Sequence, residues 1–335
     1  SSDVCSSDLP PVATLPRPAL NAAQRRARDA RRALAGQGLV EAVTYSFMAA
    51  GPAELFGGTN PALKLANPIS SDLDMMRPNA LPNLILAAKR NADRGIADVA
   101  LFEVGPQYAD DTPGGQSLVA VGIRTGAAGP RHWSAPPRAV DAFDAKGDVL
   151  ALLGSLGLAT DNLQVSADAP AWYHPGRAGA LRLGPKTLLA RFGEIHPGVL
   201  AKLDVKGPVV AFEVFLDAFP APKAKASKAR PLLRPSPFQA VERDFAFLLD
   251  AGVAADAVAR AIRGAGKDLV AGTTLLAVSV FDVYQGTGVP EGKKSLAVSV
   301  RLQPAERTLT DAEIEGIAQR FVAAVTKATG ATLRG

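Results

Sequence analysis

The stretch FPAPKAKASKARPLLRPSPF, residues 219–238, limits the fold of this chain more than any other. It has five prolines, and Lys223, Lys225, Lys228, Arg230 and Arg234 fall within it. Proline removes a backbone donor and fixes φ, and like charges repel, so no helix or central strand runs through such a stretch. It is read as a stiff linker over residues 219–237, with a domain on either side. The 335 residues are enough for two independent cores.

The charge divides at the same place. Residues 222–335 carry 16 Lys and Arg against 11 Asp and Glu, whereas residues 1–221 carry 21 of each. The whole formal excess of +5 therefore lies in the last third. A basic module beside a neutral one is a nucleic-acid footprint, and it is also what an ordinary solvated surface looks like. No apolar run reaches the ~18 residues of a membrane span, so no membrane association is expected. The single cysteine, Cys5, makes no internal disulfide and excludes cysteine-based zinc sites. That suits a reducing cytoplasm. The opening SSDVCSSDL has neither a basic start nor an apolar segment, so residues 1–16 are read as a non-native or disordered segment rather than a secretion signal.

The region after the linker has a readable order. ERDFAFLLD (242–250) is an apolar strand, and DAVARAIRGAG (256–266) is helical, with Asp256 as its expected N-cap. VAGTTLLAVSVFDVY (270–284) is a second strand region. GTGVPEGKKS (286–295) resembles a phosphate-binding loop, but its glycine spacing is wrong and a strand follows it. In that strand Leu296, Val298, Val300 and Leu302 share one face. The stretch is thus a hairpin tip bearing Lys293 and Lys294. Thr310 and Glu313 have capping-box spacing, and Ile314, Ile317, Phe321 and Val325 line one helical face. Gly330 ends that helix and ATLR returns as a strand. The order β-α-β-β-α-β is that of a ferredoxin-like sandwich over residues 238–335. Its open face should carry Ser295, Ala297, Ser299, Arg301 and Gln303, a small, polar, partly basic surface able to receive RNA. The expected RNA contacts are Lys293, Lys294 and Arg301, with Arg243 and Arg307 next.

Residues 17–218 read as a second α+β domain. Asn21 and Gln24 cap an arginine-rich helix whose arginines form a solvated face. Strands are expected at 40–47, 99–105, 118–124, 188–195 and 209–215, and helices near 81–95 and 147–158. No βαβ regularity appears, so the sheet should be largely antiparallel with flanking helices. WYHPGR (172–177) either lines a pocket or forms a packed turn with a capped imidazole. There is no GxSxG or HExxH motif, and no catalytic or metal-ligating residue is expected. Glu103 and Glu213 sit inside apolar strands, where ionisation needs support, and pairing with arginine is the expected support.

GLVEAVTYSF (38–47), LANPISSDLDMMRPNALPNLILAAKRN (65–91), ALFEVG (100–105), HPGRAGAL (174–181) and GEIHPGVL (193–200) resemble, in order, the synthetase-like core of the phenylalanyl-tRNA synthetase β subunit family. The last hundred residues resemble that family's ferredoxin-fold anticodon-binding domain. The resemblance implies a class II aminoacyl-tRNA synthetase-like antiparallel sheet that has lost its chemistry and serves as scaffold. It also implies an α subunit as partner in an (αβ)2 heterotetramer, with tRNA(Phe) bound through the C-terminal domain. ATP and Mg2+ would be used by the assembled ligase, with no cofactor on this chain. Met76-Arg77 and Phe102-Glu103 look like the remnant of an arginine-bearing motif, and no GxGxGxxR stretch is present. The family's N-terminal tRNA-binding, editing and magnesium-binding regions have no counterpart here, so the chain is expected to be part of a longer subunit. Two other readings stay open: a freestanding tRNA-binding module, and a self-sufficient adenylate-forming enzyme.

Overall fold

The computed structural model describes residues 19–220, 232–233, 235–267 and 269–334. The N-terminal segment and most of the linker, with its cations, lie outside the described residues. The chain divides into two compact units, Ser1–Lys223 and Ala224–Gly335.

In the first unit the elements are α1 (Ala22–Gly36), β1 (Val40–Glu41), β2 (Phe47–Met48), α2 (Ala50–Glu54), β3 (Met75–Met76), α3 (Leu81–Ala92), β4 (Val99–Tyr108) and β5 (Gln116–Thr125). Then follow α4 (Ala142–Ser155), β6 (Gln164–Ser166), β7 (Tyr173–Leu183), β8 (Thr187–Ile195), α5 (Pro197–Lys202) and β9 (Val209–Phe215). Seven strands form one sheet in the order β1-β4-β5-β9-β8-β7-β6. Only β1 pairs in parallel, with β4; every other neighbour is antiparallel. The expected antiparallel sheet is thus present.

The sheet is buried on both faces, which explains the near-continuous apolar runs in its central strands. On one face Phe102, Ala120, Ala190, Phe192, Val210, Phe212 and Val214 pack with Ala30 and Leu34 of α1 and Val149 and Leu152 of α4. On the other, Val119, Val121, Ile123 and Ala211 pack with Leu81, Leu84 and Ile85 of α3. Gly122 stands within β5 opposite Phe212, whose ring occupies the space a Cβ would need. The capping box of Asn21 and Gln24 forms as expected. The helix expected at 147–158 starts earlier, at Ala142, because Asp141 and Asp144 make a second capping box. The strand expected at 40–47 breaks into β1 and β2.

The second unit has β10 (Val241–Asp250), α6 (Ala255–Ala265), β11 (Thr274–Tyr284), β12 (Lys293–Gln303), α7 (Asp311–Thr329) and β13 (Thr332–Leu333). Its sheet order is β11-β12-β10-β13, antiparallel throughout. In chain order these strands are second, third, first and fourth, the arrangement of a split βαβ sandwich. Leu296, Val298, Val300 and Leu302 are buried with Val258 and Ile262 of α6 and Ile314, Ile317, Phe321 and Val325 of α7. The Thr310–Glu313 box and the left-handed Gly330 bound α7 as the spacing predicts. Asp256 is not the N-cap of α6. Ala254 holds that position without a side-chain bond, and Asp256 sits inside the helix and pairs with Arg260 at 2.8 Å.

Candidate functional site

Within the first unit the polar chemistry gathers on the α3 face of the sheet. The register places Glu103, Val121, Glu213 and Arg191 in one row across β4, β5, β9 and β8. Both glutamates are buried. A single short segment serves them both. Arg77 Nη1 donates to Glu103 Oε1 at 2.7 Å and to Thr44 Oγ1 at 2.9 Å, and Arg77 Nε donates to Pro106 O at 2.7 Å. Thr44 donates to the second oxygen of Glu103 at 2.6 Å. Two residues on, Asn79 donates to Glu213 and accepts from the Leu81 N–H at 2.8 Å, which fixes the start of α3. Arg77-Pro78-Asn79 is therefore a strap lying across the sheet. It supplies the pairing expected for Glu103, and it leaves Arg77 1% exposed with its Nε and Nη1 donors engaged internally.

Glu213 is less completely served. Arg191 stands 3.7 Å from its other oxygen, an ion-pair distance rather than a hydrogen bond. Burial pushes the Glu213 carboxyl above its ordinary value, with Arg191 and Asn79 opposing that rise. Burial likewise lifts the Tyr173 hydroxyl well above its usual range, and the nearby Glu213 adds to the effect. Arg191 is held over the rings of Trp172 and Phe215, 5.9 and 5.4 Å from their centres. Sequence reasoning missed Arg191 and Asn79, since no spacing links them to a glutamate far along the chain.

WYHPGR is a strand start rather than a pocket rim. His174 Nδ1 accepts from the Gly176 N–H at 3.0 Å, the capped-imidazole alternative. His196 does the same for Gly198 at 3.0 Å and caps α5. Arg177 pairs with Glu194 at 2.5 Å across β7 and β8. Among the described residues no group of three or more His, Cys, Asp or Glu is placed to hold a metal ion. No helix among them is long and apolar enough to cross a membrane.

The same unit exposes apolar side chains around a groove. Val43 is 89% exposed and Tyr45 72%. Val43, Tyr45, Phe47, Pro52, Leu73 and Leu86 line an open groove of about 650 Å³.

In the second unit the register separates the five expected RNA contacts. Lys293 and Lys294 begin β12 and point to opposite faces, because side chains alternate along a strand. Lys293 lies on the open face, 3.5 Å from Asp250. Lys294 turns to the helix side and donates to Ala251 O at 2.9 Å. Arg301 is on the open face, eight residues and about 26 Å further along the strand. Arg243 opposes Val300, so it stands on the helix-side register rather than beside Arg301. Arg307 is bound to Glu313 at 2.5 Å and holds that carboxylate down to about 2. The open face is also less basic than expected: Glu242, Asp244, Asp250 and Asp282 share its register positions with Lys293 and Arg301. The alternation that predicted Arg301 there places these acids there too.

Two families match, one for each unit. Residues 7–216 match the family described as the phenylalanyl tRNA synthetase beta chain CLM domain, and residues 236–334 match the ferredoxin-fold anticodon binding domain. The chain belongs to the phenylalanyl-tRNA synthetase β chain family. A phenylalanine–tRNA ligase β subunit of Paramagnetospirillum magneticum is 58% identical over 97% of this chain and 40% of its own length. The corresponding proteins of Rhodospirillum rubrum and Brucella suis are 57% and 50% identical, over 98% and 94% of this chain and 41% and 39% of theirs. The chain thus spans about two fifths of the length of these relatives. Among solved structures, a Desulfitobacterium hafniense pyrrolysyl tRNA synthetase shares 16% identity over 58% of this chain and 66% of its own, with a TM-score of 0.45.

Proposed function

We propose that this chain is the scaffold and tRNA-binding part of a phenylalanine–tRNA ligase β subunit, without chemistry of its own. The observation that carries the reading is the strap. Adenylate formation needs free charges around a triphosphate. Here Arg77, Glu103 and Asn79 are occupied with one another, with the sheet and with α3. The antiparallel sheet would then be a class II-like fold kept for assembly. The domain division in this reading is a scaffold over 17–218, a linker over 219–237 and an anticodon-binding domain over 238–335, in a cytoplasmic enzyme.

The partner in this reading is the α subunit of an (αβ)2 heterotetramer. The exposed Val43 and Tyr45, lining one open groove with Phe47, Leu73 and Leu86, support a protein contact there, since scattered single apolar residues need no partner but a contiguous set does. ATP and Mg2+ belong to the assembled ligase. The second unit would receive tRNA(Phe) chiefly through Lys293 and Arg301 on its open face, with Lys294 and Arg243, which stand on the helix-side register, and Arg307, bound to Glu313, as lesser contacts.

The test is co-expression with the α subunit from the same genome. The chain should co-purify with it, and Val43→Glu with Tyr45→Glu should abolish capture while leaving the chain folded. The chain alone should give no ATP–pyrophosphate exchange with phenylalanine. Exchange by the isolated chain would establish the self-sufficient enzyme instead. A stable monomer in the presence of α would favour the freestanding RNA-binding module.

A further inference from the structure

Glu213 has one oxygen that its neighbours do not satisfy. Asn79 serves Oε1, while Arg191 stands beyond hydrogen-bond reach of Oε2. Among the described residues Glu213 Oε2 has no hydrogen-bond partner, and the same holds for Tyr173 Oη and Trp172 Nε1. All three atoms are buried. Buried polar atoms are nearly always bonded, so orphans gathered in one region point to a group they share.

The register gathers them. Glu213 stands opposite Arg191 across β9 and β8, and Tyr173 stands opposite Ile195 across β7 and β8. Between these rows lies a third, Ala211, Gly193 and Ala178, with no side chain larger than a methyl group. Tyr173, Ile195, Ala211 and Ala178 all belong to the core on the α3 side of the sheet. The Trp172 ring is centred 6.4 Å from the Tyr173 ring and 5.9 Å from the Arg191 guanidinium that pairs with Glu213. Glu213 and Arg191 both act on the Tyr173 hydroxyl, the first raising it and the second lowering it, so the tyrosine feels their charges across the small row. Phe56 and Phe215 complete an apolar surround, 5.8 Å from Trp172 and 5.4 Å from Arg191.

We infer that Glu213 Oε2, Tyr173 Oη and Trp172 Nε1 form a buried hydration site whose ligand is an ordered internal water. The donor set selects it. An indole N–H only donates, an ionised carboxylate only accepts, and a phenol does both. The shared group must therefore accept from Trp172 and donate to Glu213. An ammonium-type cation cannot accept, and a halide cannot donate. Water does both, and about three hydrogen bonds is its usual complement in a protein interior. It also suits either state of Glu213, donating to the carboxylate or accepting from the carboxyl. The methyl-sized row between the partners gives it a floor. Through this water the network of Asn79 and Glu213 extends from the strap and β9 to the start of β7. The site is independent of the tRNA-binding reading.

The test uses the full 335-residue chain. Oxygen-17 magnetic relaxation dispersion counts waters held for longer than the protein takes to tumble. The unaltered chain should hold at least one more such water than Trp172→Phe combined with Tyr173→Phe. That variant keeps an aromatic ring at both positions and leaves the water a single partner. Thermal unfolding shows whether the variant is folded, and an equal count in two folded chains overturns the site. If the variant does not fold, a crystal structure of the unaltered chain decides. Ordered density within about 3.2 Å of all three atoms is the expected result. Direct contact of the Glu213 carboxyl with Tyr173 Oη or Trp172 Nε1, with no density between them, refutes the site. An anomalous peak at that position in crystals soaked with bromide would overturn water as the ligand in favour of a halide.

Discussion

Arg77 is a charge with no route to solvent, and its worth lies in what it prevents. It and Glu103 are 1% and 5% exposed at the side chain, so deleting either partner leaves an uncompensated buried ion. Arg77→Met should destabilise the first unit by about 3–5 kcal/mol, read from urea unfolding. Arg77→Met combined with Glu103→Leu should recover much of that loss, since an apolar pair replaces a buried ion pair at little cost. Equal destabilisation of the single and double variants would refute this account. Glu213 makes a different prediction. Its folded value is raised by burial, so the folded protein holds the proton more tightly than the unfolded chain does. The stability this confers is complete below the ordinary glutamate value of about 4.3 and is lost as pH rises through the folded value. Glu213→Gln cannot ionise, so the stability of the unaltered protein relative to this variant should fall as pH is raised. A difference that stays constant with pH would rule out the buried titration. Sequence showed that both glutamates needed support; the supporting residues come from loops and strands far away in the chain, which local patterns do not report.

At the scale of elements, capping was the most legible signal. Asn21–Gln24 and Thr310–Glu313 form the boxes their spacing predicts. Asp256 shows the limit. An acidic residue near a helix start serves as well in the first turn as at the cap, and the choice depends on where the chain turns. Thr310→Ala should cost about 0.5–2 kcal/mol in a thermal or denaturant melt. Glu313, held to about 2 by the Arg307 guanidinium, stabilises α7 above the ordinary carboxylate range, and that contribution is lost as pH falls toward 2. Arg307→Ala should reduce this acid dependence, leaving the part due to the Thr310 hydrogen bonds; an unchanged acid limb would show that Arg307 contributes nothing to it. The strand expected at 40–47 is interrupted between β1 and β2, where Val43 and Tyr45 are exposed, and a strand pattern does not tell an exposed apolar run from a buried one. The open face of the second unit was misjudged for a related reason. Only β12 was placed on it, whereas Glu242, Asp244 and Asp282 come from its neighbours, and registers between strands are not written in any single strand.

For the whole molecule, motif order was enough to place the chain in its family. That order does not reveal where the cations meet. The last third carries the net +5, yet its sheet surface alternates in sign. On the proposed tRNA-binding reading, binding should therefore be a sum of few contacts. Lys293→Ala with Lys294→Ala should reduce the salt slope by less than two full contacts, because Lys294 faces the helix side. A loss of two full contacts, about 1.4 in slope, would contradict this placement.

The three residues from Arg77 to Asn79 latch acids on two strands at once. Positions 77 and 103 form one buried pair and positions 79 and 213 another, joined by three consecutive residues, so a change to one member of a pair is tolerated best with a matching change in its partner. A reaction centre placed on this face of the sheet would first have to displace the latch that holds the start of α3.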